Sequence, residues 1–143
     1  MFSNSDEFYK DRILWKASQH KLKLEYFYSA LDLDLINFLE SKFALDGEPI
    51  LVFWESQNRW TVVTTRKILS VDGASLNIIA LDDINKKIKI VESTLNQATK
   101  ENAEFLLLGE ESVKIWAPSG GTLFALFGIL KMFPLKFDSN DSV

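Results

Sequence analysis

The chain has 143 residues, a length that suits one domain and leaves no room for a second. Hydrophobic residues make up 47% and charged residues 25% of it, which excludes a disordered or fibrous chain. The absence of cysteine excludes disulfides and thiolate chemistry, and a net charge of −4 disfavours nucleic acid and anionic membranes as partners. The sequence therefore predicts one globular domain over residues 1–143, with no cofactor.

The first 48 residues are predicted to be a helical N-terminal segment. Asn4 or Ser5 is a candidate cap for the first helix, because both side chains accept hydrogen bonds from the free amides of a first turn. The apolar residues of this helix are Phe8, Tyr9, Ile13 and Trp15. After it, Lys21–Tyr28 alternates apolar and charged residues, which suits a strand, but the segment could also continue the helix.

A second helix is marked at both ends. Asp32 or Asp34 caps its start, and residues 47–49, Gly-Glu-Pro, stop it. The residues that share one face of this helix are Leu35, Ile36, Leu39 and Phe43.

From residue 49 onward, β-branched and aromatic residues alternate with short polar turns, a pattern that is typical of antiparallel strands. Asn58 and the Asp72–Gly73 pair are turn signals, because both tolerate the positive φ of tight hairpins. Residues 94–102 are polar and predict a loop. The predicted strands are Ile50–Glu55, Arg59–Val71, Leu76–Leu81, Ile84–Val91, Phe105–Leu108 and Val113–Ala117.

A last helix is predicted over Thr122–Phe133, ended by Pro134 and followed by a tail over residues 134–143 that is polar from residue 138. It is apolar on nearly every side, so it must be covered on every side, by the sheet on one face and the N-terminal helices on the other. If this helix is central to the core, Phe127→Ala should cost about 3–5 kcal/mol. The predicted fold class is α+β: a curved antiparallel sheet or partial barrel, capped by this helix and flanked by two N-terminal helices.

Three segments of this part of the chain resemble the bacterial pleckstrin-homology-like (PH-like) domain of the small stand-alone type. They are Trp60–Leu69, with its threonines and basic pair, the aliphatic and acidic Ile79–Ile84, and the glycine-led Ala117–Leu130. The resemblance covers roughly residues 49–133 and implies a curved antiparallel sheet capped by one C-terminal helix.

What the PH-like resemblance implies is binding. Some members bind phosphoinositide headgroups and many bind peptides or proteins, and small acidic bacterial members suggest partner binding, including immunity proteins that block a toxin. The lipid-binding members use basic residues on the first two strands and the loop between them. Here that loop is short and offers only Arg59, with Arg66 and Lys67 further along.

Basic residues of the predicted sheet, together with one tryptophan, are the candidate partner-binding residues. Cations on one side of a sheet attract acidic surfaces, and tryptophan is a favoured anchor of protein interfaces. The alternatives are a solvated sheet face for the charges and core packing for Trp54 and Trp60. The candidates are Arg59, Trp60, Arg66, Lys67, Lys87 and Lys89.

The residues that catalysis or a metal would need are few. His20 is the only histidine, and it is also expected as an exposed residue at a helix end. Two acidic pairs, Asp32 with Asp34 and Asp82 with Asp83, supply the minimum for metal or acid–base chemistry. A helix cap and a turn explain both pairs, so neither a catalytic nor a metal site is predicted.

Gly120–Gly121 precedes the last helix and could present amides to an anion, although entry into a buried helix explains it better. No basic leader segment is visible, and the longest apolar run, Leu123–Leu130, is too short to span a membrane. We therefore expect a cytoplasmic chain.

The sequence favours a non-enzymatic binding module for a protein partner, with an immunity protein that neutralises a toxin as its most concrete version. One alternative is a module for phosphoinositides or anionic lipids that uses the same basic residues. The other is a small enzyme whose carboxylates meet in a cleft.

Overall fold

The computed structural model describes residues 4–42, 46–91 and 103–135. Within these ranges the fold is α+β, with three α-helices and two antiparallel sheets of four and three strands that do not close into a barrel. The helices are α1 (Asn4–Gln19), α2 (Leu33–Lys42) and α3 (Gly121–Leu130). The first sheet has the order β1 (Pro49–Ser56), β2 (Arg59–Thr64), β3 (Lys67–Asp72) and β4 (Ser75–Ala80). The second has the order β5 (Ile88–Ile90), β6 (Phe105–Leu108) and β7 (Val113–Trp116).

Both predicted N-terminal helices are confirmed. The Asp32 carboxylate accepts a hydrogen bond from the Leu35 amide at 2.9 Å, so Asp32 is the cap that starts α2. Phe43, the predicted loop over residues 94–102 and the predicted tail from residue 138 lie outside the described residues.

The segment Lys21–Tyr28 is neither a strand nor a continued helix. Lys21 has a φ of 54°, and the Leu22 amide donates to the Ala17 carbonyl at 3.0 Å, a left-handed cap that ends α1.

Two short 3₁₀ turns, Leu24–Tyr26 and Tyr28–Ala30, follow this cap. Between them, Phe27 makes a single antiparallel bridge to Leu51. The segment therefore lies along the outer edge of β1.

The predicted strand Arg59–Val71 is wrong, because the chain reverses within it. β2 ends at Thr64, whose hydroxyl accepts hydrogen bonds from the amides of Arg66 at 3.1 Å and Lys67 at 2.9 Å. A threonine side chain thus forms this turn without glycine, proline, asparagine or aspartate, the residues that usually mark one.

The predicted strand Ile84–Val91 is much shorter in the structure. Leu81–Asp83 forms a 3₁₀ turn, and Asn85 and Lys86 have φ values of 51° and 58°, which no strand accommodates. Pairing begins only at Ile88, which lies opposite Leu108.

The first sheet is buried on its inner face and, over β1, β2 and β3, on its outer face as well. On its inner face, side chains such as Leu51 and Val63 pack with α1, α3 and the second sheet. On its outer face, Val52 and Val62 belong to a separate cluster with Leu39 of α2. Among the described elements, α1 packs beside α3 whereas α2 packs on the outer face of the sheet, so the expectation that both N-terminal helices cover α3 is wrong. None of the helices within the described ranges is long and apolar enough to cross a membrane.

β7 crosses the inner face of the first sheet on a row of three polar side chains. Thr61, Ser70 and Asn77 lie side by side on β2, β3 and β4. Thr61 donates to the Trp116 carbonyl at 2.5 Å, Ser70 accepts from the Trp116 amide at 3.0 Å, and Asn77 donates to the Lys114 carbonyl at 3.0 Å. These bonds satisfy backbone groups of β7 on the edge that faces away from β6.

Candidate binding surfaces

The six predicted partner-binding residues do not form one patch. Arg59 begins β2, whereas Arg66 and Lys67 lie at its other end, roughly 20 Å away by the rise of six strand residues. Lys87 and Lys89 lie at β5, in the other sheet.

Arg59 lies in a cluster of carboxylates. Its guanidinium is 3.1 Å from Asp72, 3.4 Å from Glu55 and 3.5 Å from Glu104. It also lies over the Phe105 ring, 5.8 Å from the centroid. The positive charge that the sequence offers to a partner is therefore balanced within the chain.

Arg66 joins the first turn of α1 to the β2–β3 turn. It donates two hydrogen bonds to Asp6, from Nε at 2.9 Å and Nη2 at 2.8 Å, and a third to Asp46 at 3.0 Å. Thr65 donates to the same Asp6 carboxylate at 3.0 Å. The hydrogen bonds to Asp6 raise the pKa of Arg66 above its usual value. Arg66 is thus a structural tie between two elements.

The three lysines differ in their pairing. Lys67 is 3.5 Å from Asp46, and Lys87 forms an ion pair with Glu110. Lys89 is exposed and has no ion pair within the described residues. The lipid-binding alternative through the sheet cations therefore has little free charge to use.

The two tryptophans of the first hairpin belong to the outer cluster. Trp60 is fully buried, so it offers no surface to a partner. Trp54 is half-buried and packs edge to face on Phe38 of α2, with 5.5 Å between the ring centroids. The helix α2 covers this face of the sheet, which is why core packing applies to both residues.

A cleft of about 420 Å³ lies beside the Asp6–Arg66 tie. The Tyr9 hydroxyl, on its wall, donates to the Asp82 carboxylate at 2.7 Å and 2.8 Å. Burial, and then the hydrogen bond to Asp82, raise the pKa of Tyr9, which keeps the hydroxyl a donor. The polar groups of the cleft thus hold α1 against the sheet.

The remaining candidates have structural roles. The His20 imidazole is exposed and lies directly over Gly128 of α3. Gly120 is the N-cap that precedes α3 and has a φ of 84°, a conformation for which glycine is suited. Within the described ranges, no three histidine or carboxylate side chains come together where they could hold a metal ion.

The edge strand β4 carries exposed apolar side chains that the sequence did not single out. Leu76 is 41% exposed and Ile78 is 45% exposed. They lie opposite Val71 and Leu69 of β3, so they extend the apolar outer face of the first sheet beyond the part that α2 covers.

A cleft lies at each end of this edge. One, of about 300 Å³, is formed by Phe38, Val71, Leu76 and the β3–β4 turn. The other, of about 530 Å³, has Ile78 on its wall. Its charged lining consists of Lys67, Asp83, Glu110 and Glu111.

Comparison with protein-family models, with curated proteins and with solved structures finds no match to this chain. The geometry of the β4 edge therefore supplies the functional argument. The sequence indicates this edge only by the apolar residues Leu76 and Ile78 at alternate positions. A strand in the middle of a sheet shows the same pattern. Only the strand order shows that β4 is an edge.

Proposed function

We propose that this chain is a non-enzymatic binding module for a protein partner, which it binds as an added strand along β4. The observation that carries the proposal is the outer edge of β4, which pairs with no strand among the described residues, with Leu76 and Ile78 exposed beside it. An extended segment that pairs with a sheet edge gains backbone hydrogen bonds, and its alternate side chains enter pockets.

The other sheet edges are covered or short in the part of the chain that the structure describes. Phe27 bridges to β1, and the polar row of Thr61, Ser70 and Asn77 bonds to β7. β5 has three residues, whereas β4 has six and pairs with β3 alone. Proteins commonly protect long edges, so an edge that carries apolar side chains and that none of the described segments covers marks a place for another chain.

The partner segment is expected to be extended, with aliphatic side chains at alternate positions to cover Leu76 and Ile78. A basic residue near one end would face Asp83 and Glu111 of the larger cleft. A small acidic chain that captures a basic segment fits the immunity-protein version of the proposal. The PH-like resemblance is part of the same proposal, and it is supported by the antiparallel sheets and by the packing of α3 on the inner core.

Peptide display tests the proposal even though the natural partner is unidentified. A random library is selected on the full chain and on the variant Leu76→Lys/Ile78→Lys, which places charges along the edge. We expect enriched peptides with alternating aliphatic residues that bind the unchanged chain and lose binding to the variant, because the edge no longer accepts an apolar strand.

The variant Leu33→Lys is the matched control, because Leu33 is an exposed leucine (69%) on α2, outside both clefts. It should bind the selected peptides as the unchanged chain does. Peptides that bind all three proteins equally, or that bind without adopting a strand in the infrared amide band, would contradict the proposal.

A further inference from the structure

A second group of cations, like Lys89 of the sheet, has no ion pair within the described residues. The sheet cations Arg59, Arg66 and Lys67 are each held by carboxylates. The second group lies on α1, just after it, and at the end of α3. Its members are Arg12, Lys16, Lys21, Lys23 and Lys131.

Two contacts place α1 and α3 side by side in opposite directions. Near the start of α1, the Tyr9 ring is 5.6 Å from the ring of Phe133, just beyond α3. At the end of α1, the His20 ring covers Gly128. This antiparallel arrangement places the exposed side chains of α1 beside the exposed side chains of α3.

Residues four apart lie on one side of a helix, so Arg12, Lys16 and His20 form a row along α1. His20 touches α3, so this row follows the boundary between the two helices. On α3, Phe124 and Lys131 share a side with Gly128, the residue that His20 covers. The cations and the exposed Phe124 therefore border one surface.

Aromatic rings accompany the cations on this surface. Trp15 is 47% exposed, and its ring lies 4.6 Å from the Arg12 guanidinium and 5.8 Å from the Lys16 ammonium group. Phe124 is 38% exposed, and Lys131 lies 5.6 Å from the ring of Phe127. Tryptophan beside lysine and arginine is characteristic of the boundary between lipid headgroups and hydrocarbon.

We propose that this surface, which we name the helix face, docks on an anionic lipid membrane. The cations would lie among the headgroups, and Trp15 and Phe124 would enter the boundary with the acyl chains. The helix face consists of Arg12, Trp15, Lys16, Lys21, Lys23, Phe124 and Lys131. Nucleic acid or an acidic protein would neutralise the cations, but neither supplies the continuous apolar layer that two exposed aromatic rings can enter.

The net charge of −4 does not oppose this docking, because the charge is unevenly distributed. Acidic residues such as Asp83, Glu110 and Glu111 lie at the cleft beside β4. The carboxylates nearest the helix face in sequence are Asp11 and Glu25. Attraction acts over about a Debye length, so the nearby cations outweigh distant carboxylates. The helix face shares no residue with the β4 edge and is independent of the proposed function.

Vesicle binding by the full chain tests the proposal. We compare phosphatidylcholine vesicles with phosphatidylcholine vesicles that contain phosphatidylserine, by sedimentation at rising salt. Binding is expected only with phosphatidylserine, and it should weaken as salt rises. Equal binding to both vesicles, or no binding to either at low salt, overturns the proposal; the second result is also what a surface for nucleic acid or an acidic protein would give.

Two matched pairs of substitutions locate the surface. Each cation near an anionic membrane contributes about fivefold to binding, so Arg12→Gln/Lys16→Gln should weaken it roughly 25-fold. The control Lys89→Gln/Lys114→Gln removes two exposed cations from the second sheet and should leave binding close to that of the unchanged chain. Equal loss in both double variants overturns the assignment to the helix face.

Trp15 supplies a readout that does not depend on charge. It is more exposed than the buried Trp60 and Trp116, so entry into lipid should shift its fluorescence to shorter wavelength. The variant Trp15→Phe should lose most of this shift while circular dichroism shows an unchanged fold. A shift that persists in Trp15→Phe would mean that Trp15 does not enter the membrane, which overturns the proposed orientation.

Discussion

The Asp6 carboxylate is only 2% exposed, and it accepts two hydrogen bonds from Arg66 and one from Thr65. It also lies in the first turn of α1, where a negative charge favours the helix. The hydrogen bonds to Arg66 and Thr65 connect α1 to the β2–β3 turn, whereas the effect on the helix is local. The two contributions can be separated with Glu7, which also lies in the first turn of α1 and therefore has the local effect on the helix without the hydrogen bonds to Arg66 and Thr65.

We expect Asp6→Asn to lower the free energy of unfolding by about 1.5–3 kcal/mol, the usual range for hydrogen bonds to a charged group. The matched variant Glu7→Gln, at an exposed position in the same turn, should cost a few tenths of a kcal/mol, or about 1 at most. Urea unfolding followed by circular dichroism measures both. Equal losses would show that the tie between Asp6 and Arg66 adds nothing to the helix effect.

Separation along the chain decides which of these contacts could be predicted. The Asp32 cap acts on Leu35, three residues away, and the sequence predicts it. Arg66 bonds to Asp6 across 60 residues, and no local pattern indicates that contact. The sequence therefore indicated which basic residues lie on the sheet. It could not show that carboxylates from distant segments form ion pairs with them.

At the scale of elements, α3 is apolar on almost every side, yet its residues are covered to different extents. Leu126 is fully buried in the inner core, whereas Phe127 is half-buried beside Lys131. The expectation that α3 is central to the core is confirmed, but Phe127 lies at the margin of the inner core, because composition alone does not show which side of an apolar helix faces the sheet.

Leu126→Ala should lower the free energy of unfolding by about 2–5 kcal/mol, because it leaves a cavity in the inner core. Phe127→Ala should cost less than Leu126→Ala, although it removes the larger side chain, because part of the ring already contacts water. Denaturant midpoints of the two variants, compared at constant slope, provide the measurement. A larger loss for Phe127→Ala would place the buried side of α3 elsewhere.

The elements that the sequence predicted correctly carry either strong periodicity or clear end signals. The helix α2 has its aspartate cap, and the β3–β4 hairpin has Asp72–Gly73 at its turn. The β2–β3 turn was missed because a threonine hydroxyl holds it. The strand order was beyond prediction, and with it the open edge of β4, because it depends on pairings between segments rather than on any one segment.

For the whole molecule, the first sheet forms part of two cores. Its inner face packs with α1, α3 and the second sheet, and its outer face packs with α2. A disturbance of either core reaches the backbone of the same strands. We therefore expect the chain to unfold as one unit, although the backbone of the first sheet separates its two apolar clusters.

Leu39→Ala, in the outer core, should lower stability by about 2–5 kcal/mol, and unfolding should remain a single transition by near-ultraviolet and far-ultraviolet circular dichroism. The control Leu33→Ala removes a leucine that is 69% exposed on the same helix and should change stability by less than about 0.5 kcal/mol. Two separated transitions in Leu39→Ala would show that α2 unfolds independently of the rest.

The polar row beneath β7 has a consequence for the order of folding. Hairpins β2–β3 and β3–β4 join residues that are close along the chain, whereas Thr61, Ser70 and Asn77 reach β7 across 55, 46 and 37 residues. A register slip of one residue would turn these side chains to the opposite face, so β7 finds its partners only after the three strands have aligned. We infer that strands β2, β3 and β4 pair early and that docking of the second sheet is a late step. Contacts between residues far apart along the chain also cost more entropy to close, which favours the same order.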